Sequence, residues 1–265
     1  DNWPRCVQIA WQLHAADGAL IENKDFLIKP DGFDIPFQSE KIHGISTELA
    51  KEKGAALSEV LDEFSQVLNK SKFVVGQNLR FDLNIMGCEF HRLNGDNTLL
   101  NLPVLDTCTE KTAQLCEIPG GRGGKFKLPT LTELHEFLFN QPFAEAHNAT
   151  ADVEATSRCF LELIRTKVFS PKELLFDNQQ YAEFLNINST TIQPVGIKHV
   201  NLKKESDKLK KRSVSATSKK KVDVDSNLSL LSDVSFSHLH NHSQFSILQS
   251  TTQVKNLIKK ASENG

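Results

Sequence analysis

The sequence predicts an α/β protein in which a mixed sheet carries helices on its faces. Two observations lead there. Apolar residues alternate with period two from Arg5 to His14, and short apolar runs of strand length later interleave with stripes at helical spacing. Strands first, then helix and strand in turn, then helices is the order of a sheet with both antiparallel and parallel members.

From Arg5 to His14, Val7, Ile9, Trp11 and Leu13 alternate with other residues, the period of a half-buried strand. Asp17-Gly18 supplies turn chemistry, so Ala19 to Ile28 is read as the returning strand of a hairpin. A loop bearing Pro and Gly leads to Ile42-His43-Gly44-Ile45-Ser46, where Ser46 is placed to cap a short helix through Ala50. Leu57, Val60, Leu61, Phe64, Val67 and Leu68 recur at helical spacing and give an apolar stripe. Phe73 to Gly76 reads as a buried strand, and Phe81, Ile85, Met86 and Phe90 as the stripe of the helix after it. Asn78 and Asp82 therefore stand at a strand-to-helix junction. Leu102 to Leu105 predicts a further short strand ending at Asp106-Thr107, and helices are expected over Cys108 to Cys116, Leu131 to Phe139 and Thr150 to Lys167. A last helix over Glu173 to Asn186 is weaker. Residues 1 to 175 thus form one domain, 176 to 230 a partly basic linker with some structured anchoring, and 231 to 265 the start of another domain.

The 265 residues carry a net charge of -2, and no run approaches the roughly 18 to 20 apolar residues of a membrane span. With no signal-like N-terminus, a cytoplasmic protein without membrane association is expected. The cysteines Cys6, Cys88, Cys108, Cys116 and Cys159 are odd in number and scattered, which argues against a disulfide framework and a zinc ribbon. Between Lys203 and Lys221 lie nine Lys and Arg residues among serines, the composition of a solvated linker and, less often, of a phosphate-tracking arm. The sequence opens at Asp1 without Met and stops at Gly265 directly after a helical pattern, so a fragment is expected.

Two acidic signatures carry the chemistry: Gln77-Asn78-Leu79-Arg80-Phe81-Asp82 and His147-Asn148-Ala149-Thr150-Ala151-Asp152. Hydrolysing a phosphodiester requires an activated water, a neutralised phosphate and a stabilised leaving oxygen. Two hard divalent cations roughly 3.5 to 4 Å apart, held by carboxylates, supply all three. Asp82 and Asp152 are the candidate ligands. His147 stands five residues before Asp152, and an imidazole of unperturbed pKa about 6.5 accepts a proton at neutral pH. Taken singly, an Asp at a helix start is more often a cap or dipole partner.

Taken together, His-Gly-Ile-Ser, Val-Gly-x-Asn-x-x-Phe-Asp, Leu-Asp-Thr and His-Asn-Ala-x-x-Asp resemble the DEDDh exonucleases, a family that includes proofreading subunits of bacterial replicases; the match covers about residues 5 to 167. The resemblance implies a ribonuclease-H-like fold, Asp82 and Asp152 as ligands of Mg²⁺ or Mn²⁺, and His147 as general base. It further implies that Asn78 supports the Asp82 loop, and that His43, Gly44 and Ile45 contact the terminal nucleotide. Gln77 stands where the family commonly has histidine. The leading Asp-x-Glu motif is missing, since the one Asp-x-Glu here is Asp152-Val153-Glu154 on a helix. The fold is accordingly expected to lack its first strand, and this chain to be inactive or nearly so.

Near the C-terminus His238, His240 and His242 alternate, and Phe236 to Leu248 resembles the opening of the PHP domain of bacterial DNA polymerase III alpha subunits. That implies His240 and His242 as ligands of Zn²⁺ or Mn²⁺, although Gln249-Ser250 replaces the usual Asp-Gly. The implied whole is a proofreading region of such a subunit, acting on DNA with a frayed or single-stranded 3′ end beside replisome components such as a sliding clamp. A free-standing DEDDh nuclease on RNA or repair intermediates, and a non-catalytic module binding nucleic acid or the replisome, stay open. Pro119 to Lys125 looks phosphate-binding, but Pro119 and Phe126 break the Walker spacing.

Overall fold

The computed structural model describes residues 3–142, 148–197, 200–216, 259 and 262–263. It divides the chain into two compact units, Asp1–Ala216 and Thr217–Gly265. In the second, the described residues are helical, with Lys259 and Glu263 3.8 Å apart.

The first unit is a mixed α/β fold. Strands β1 (Gln8–His14) and β2 (Leu20–Leu27) form an antiparallel hairpin in which Gln8 faces Leu27 and Leu13 faces Glu22. Its turn needs Gly18 at φ +91°, while the Asp17 carboxylate accepts the Ala19 N–H at 2.9 Å. Strands β3 (Val74–Gly76) and β4 (Val104–Asp106) form a parallel pair, Gly76 opposite Asp106. Among the described residues no strand hydrogen-bonds one pair to the other. Helix α7 (Ala149–Arg165) packs against β1, β2 and β3 and so ties the two pairs together. The expected mixed sheet exists as two halves held by a helix.

Helices α1 (Phe37–His43), α2 (Thr47–Lys53) and α3 (Leu57–Leu68) follow the hairpin. Ser46 caps α2, its hydroxyl accepting the Leu49 N–H at 3.1 Å, as its position before an apolar run predicted. Helix α1 lies in what the sequence presented as loop. Helices α4 (Arg80–Arg92), α5 (Glu110–Cys116) and α6 (Leu131–Phe139) stand close to their predicted places. Phe81, assigned to the buried stripe of α4, is instead 49% exposed, and Leu79 takes the inward position beneath Gly76. A Cβ at Gly76 would meet Leu79 at 2.2 Å, so glycine is needed for that approach.

One core packs the hairpin against α3 and α4 through Ile9, Trp11, Ile28, Val60, Leu61, Met86 and Phe90. A second gathers Leu134, Cys159, Phe160, Leu163, Ile164 and Phe184 from α6, α7 and α8 (Asn178–Ile187), with Leu174 from the turn before α8. The stretch read as linker thus holds α8 and also α9 (Leu202–Ala216), whose Leu202 enters a third core with Ile35, Ile45, Leu49 and Ala50. The period of α9 is hard to see because its inward face holds few apolar residues: Leu202, the polar Ser206, and Leu209. Tertiary contacts, not an apolar stripe, make that segment part of the unit.

No disulfide joins the five cysteines. No helix among the described residues is long and apolar enough to cross a membrane.

Candidate active site

Two helix N-termini build the site. Strand β3 ends at Gly76, the chain turns through Asn78 at φ +59°, and α4 then presents Asp82 in its first turn. Asp106, at the end of the neighbouring β4, holds this turn in shape. One of its carboxylate oxygens accepts the N–H groups of Asn78 and Cys108 at 2.8 and 2.7 Å, and the other that of Leu79 at 2.9 Å. Three backbone donors on one carboxylate fix a left-handed asparagine that a bare loop would not keep. Gln77 donates to the Pro129 carbonyl at 2.7 Å and accepts from the Thr107 hydroxyl, which anchors the turn from its other side.

The second N-terminus is that of α7, which begins at Ala149, one residue before the expected Thr150. Asn148 caps it through the Thr150 N–H at 3.1 Å, and Asp152 lies in its first turn. Contacts with the hairpin set its angle: the Thr150 hydroxyl donates to Asp25 at 2.6 Å, Gln8 donates to the other oxygen of Asp25 at 2.8 Å, and the Ala149 N–H donates to Gln8 at 3.4 Å.

These two turns bring Asp82 and Asp152 within electrostatic reach of each other. Asp82 is an exposed residue overall, yet its carboxyl is partly stripped of water, and that loss is the first cause of a pKa above the usual carboxylate range. The negative charges of Asp106 and Asp152 push the same way, against a backbone hydrogen bond that favours the ionised form. A carboxyl whose ionisation is opposed by carboxylate neighbours, as that of Asp82 is, marks a place where a cation would be welcome. As hard oxygen donors Asp82 and Asp152 suit a divalent cation in kind. In number they are short: among the described residues no three His, Cys, Asp or Glu side chains form a group able to hold a metal. Glu154, the other acid of Asp152-Val153-Glu154, does not supply the deficit. It is buried and accepts the N–H groups of Gly196 and Ile197 at 2.7 and 3.3 Å.

The His43-Gly44-Ile45 motif lies at the end of α1. The Ile45 N–H donates to His43 Nδ1 at 3.1 Å, so that nitrogen carries no proton, and desolvation lowers the imidazole pKa despite the opposing charge of Glu40. His43 is half-buried, whereas Ile45 is completely buried and Gly44 is covered by α9. The structure therefore leaves His43 as the member of the motif whose side chain reaches the surface. His147, His240 and His242 lie outside the described residues.

Asp106, Gln8, Asp25 and Thr150 were not singled out from the sequence. Asp106 stood at a strand end within the Leu-Asp-Thr signature and Thr150 within the second acidic signature, whereas Gln8 and Asp25 left no signal there. Phe81, next to Asp82 in sequence, forms an aromatic pair with Trp3, with ring centroids 6.0 Å apart and both residues exposed.

Residues 7–160, more than half of the chain, match the family described as RNase_T: Exonuclease. The chain belongs to this exonuclease family. A curated relative, DNA polymerase III subunit epsilon of Rickettsia conorii, is 27% identical over 142 residues, which is 54% of this chain and 58% of the relative. The chain thus spans a little more than half the length of that relative. Among solved structures it resembles E. coli Exonuclease I in complex with a dT13 oligonucleotide, with a TM-score of 0.52 and 22% identity over 65% of this chain and 39% of that one. The zinc-bound form of the E. coli Exonuclease I complex with single-stranded DNA gives 0.50 and 22% over 64% and 38%. At this identity the two structures share the fold with this exonuclease.

Proposed function

We propose that the chain is a 3′–5′ exonuclease region of a bacterial replicative DNA polymerase III alpha subunit, which removes nucleotides from a frayed or single-stranded 3′ DNA end. The observation that carries the nuclease chemistry is the convergence of Asp82 and Asp152 from two helix N-termini, with Asp106 fixing the turn before the first. The relative named as a polymerase III subunit and the single-stranded DNA bound in the Exonuclease I complexes support DNA as substrate.

In this reading Asp82 and Asp152 hold Mg²⁺ or Mn²⁺, which when bound neutralises the phosphate and activates water. His147 takes the proton from the attacking water, Asn78 keeps the Asp82 turn open, and His43 meets the terminal nucleotide, with Gly44 and Ile45 shaping its loop. The shortage of carboxylates leads us to propose that this chain by itself is inactive or nearly so. His240 and His242 would belong to a PHP domain binding Zn²⁺ or Mn²⁺, and a sliding clamp is a partner by the same resemblance. The likeness to a separately named epsilon subunit and to Exonuclease I favours a second reading, a DEDDh nuclease not fused to a polymerase.

The test is release of nucleotide from 3′-labelled single-stranded and mismatched primers with Mg²⁺ or Mn²⁺. Three proteins are compared: this chain, the chain extended at its N-terminus by a strand carrying Asp-x-Glu, and that extended form with His147→Ala. Activity in the extended form alone, lost with His147→Ala, is the expected result. Silence in all three would replace catalysis with a binding role for this fold.

A further inference from the structure

Helix α9 concentrates positive charge that the chain as a whole lacks. Against a net charge of -2 overall, its described face holds Lys203, Lys204, Lys208, Lys210, Lys211 and Arg212, set against Glu205 and Asp207. The docking of this helix is specific. The Ser206 hydroxyl, 1% exposed, donates to the Gly44 carbonyl at 2.7 Å and accepts the Ser46 N–H at 3.0 Å. Gly44, at φ +77°, lies so close under α9 that a Cβ there would stand 2.9 Å from the Lys203 nitrogen. Lys53 pairs with Glu205 at 2.7 Å, and Lys210 pairs with Glu40. With Leu202, Ser206 and Leu209 turned inward, Lys203, Lys204, Asp207, Lys208, Lys211 and Arg212 are left exposed. Lys208 shares Glu205 at 2.7 Å; Lys203, Lys204 and Lys211 form no ion pair among the described residues.

We propose that this outward basic face of α9 is the track for the phosphate backbone of the single strand whose 3′ end enters beside His43. The proposal rests on the exonuclease reading, because it is the loop proposed to meet the terminal nucleotide that α9 covers. Charge complementarity selects the occupant. Lys204, Lys208 and Lys211 follow one another about one helical turn apart, roughly 5 to 6 Å, so they line up along one side for a polyanion running parallel to the helix. Flexible ammonium groups on an exposed face act as sequence-independent point charges, which is what a strand of any sequence requires.

The experiment is binding of 5′-fluorescein-labelled dT16 to the full chain in EDTA, followed by anisotropy across a salt series. A Lys204→Gln/Lys208→Gln/Lys211→Gln variant is compared with a charge-matched Lys70→Gln/Lys72→Gln/Lys172→Gln control, all six positions being exposed. Glutamine keeps helix propensity close to that of lysine, so α9 should persist, and circular dichroism checks it. Loss of three phosphate contacts should weaken binding at least tenfold at low salt and reduce the slope of log K against log salt by about 2, since each contact on a single strand contributes about 0.7. The control should bind within twofold of the unsubstituted chain. Equal slopes for variant and control would overturn the track while leaving the exonuclease reading intact. No binding of dT16 by the unsubstituted chain would overturn both. Vesicles containing phosphatidylserine that lose binding in the variant, with dT16 unaffected, would reassign the face to a membrane surface.

Discussion

Glu89 offers the sharpest test of how the site is held. Its side chain is completely buried, accepts the Cys6 N–H at 2.7 Å and the Arg5 Nε at 3.0 and 3.2 Å, and lies 3.2 Å from Arg92. It stands seven residues after Asp82, two turns along the same face of α4, so it pins the strand leading into β1 onto the helix that carries the candidate ligand. Glu89→Gln keeps the shape but leaves two guanidinium groups beside a neutral amide. Breaking a fully buried pair costs about 3 to 5 kcal/mol. Here the arginine side chains are 31% and 23% exposed and recover some water, so we expect a loss of about 2 to 3 kcal/mol. With a urea dependence of roughly 2 to 3 kcal/mol per M for a domain this size, the midpoint should fall by about 1 M. A double-mutant cycle with Arg5→Met and Glu89→Met should show a coupling of about 1 kcal/mol or more. A midpoint shift below about 0.3 M, or additive single effects, would refute the reasoning.

Three other outcomes are expected. Asp82 has a raised pKa when folded, so its proton stabilises the fold at low pH, and that stability is lost as pH rises through the folded value. Asp82→Asn should therefore raise the thermal midpoint at pH 7, give no gain near pH 3, and remove any stabilisation by added Mg²⁺; a destabilised variant at pH 7 would contradict this. Gly44→Ala places a Cβ against α9 at a positive φ and should cost about 1 to 2 kcal/mol and speed tryptic cleavage within Leu202–Ala216, with unchanged cleavage telling against the docking. Burial pushes the thiols of Cys6 and Cys159 up to about 12, so iodoacetamide at pH 8 should spare both in the native chain and modify them after unfolding. Rapid native alkylation of either would show the packing around it to be looser than described.

What the sequence determined by itself is local. Alternation at Val7 to Leu13, the Asp17-Gly18 turn, the Ser46 cap and the helical stripe from Leu57 to Leu68 all depend on near neighbours along the chain, and each stands where its period put it. Asp82 and Asp152 were legible for the same reason, as acids in the first turns of helices announced by their flanking residues. The tertiary structure alone decided how those turns are held and what covers them. Asp106 binds the Asn78 turn from 28 residues away, Asp25 holds α7 from across the hairpin, and Ser206 reaches the Gly44 loop over 162 residues. Each of these is a polar side chain meeting backbone or hydroxyl groups distant in sequence, and such pairings have no period to read. Helix α9 is the clearest case, since a segment with few apolar residues joins the core through Leu202, Leu209 and a buried serine that finds two partners there.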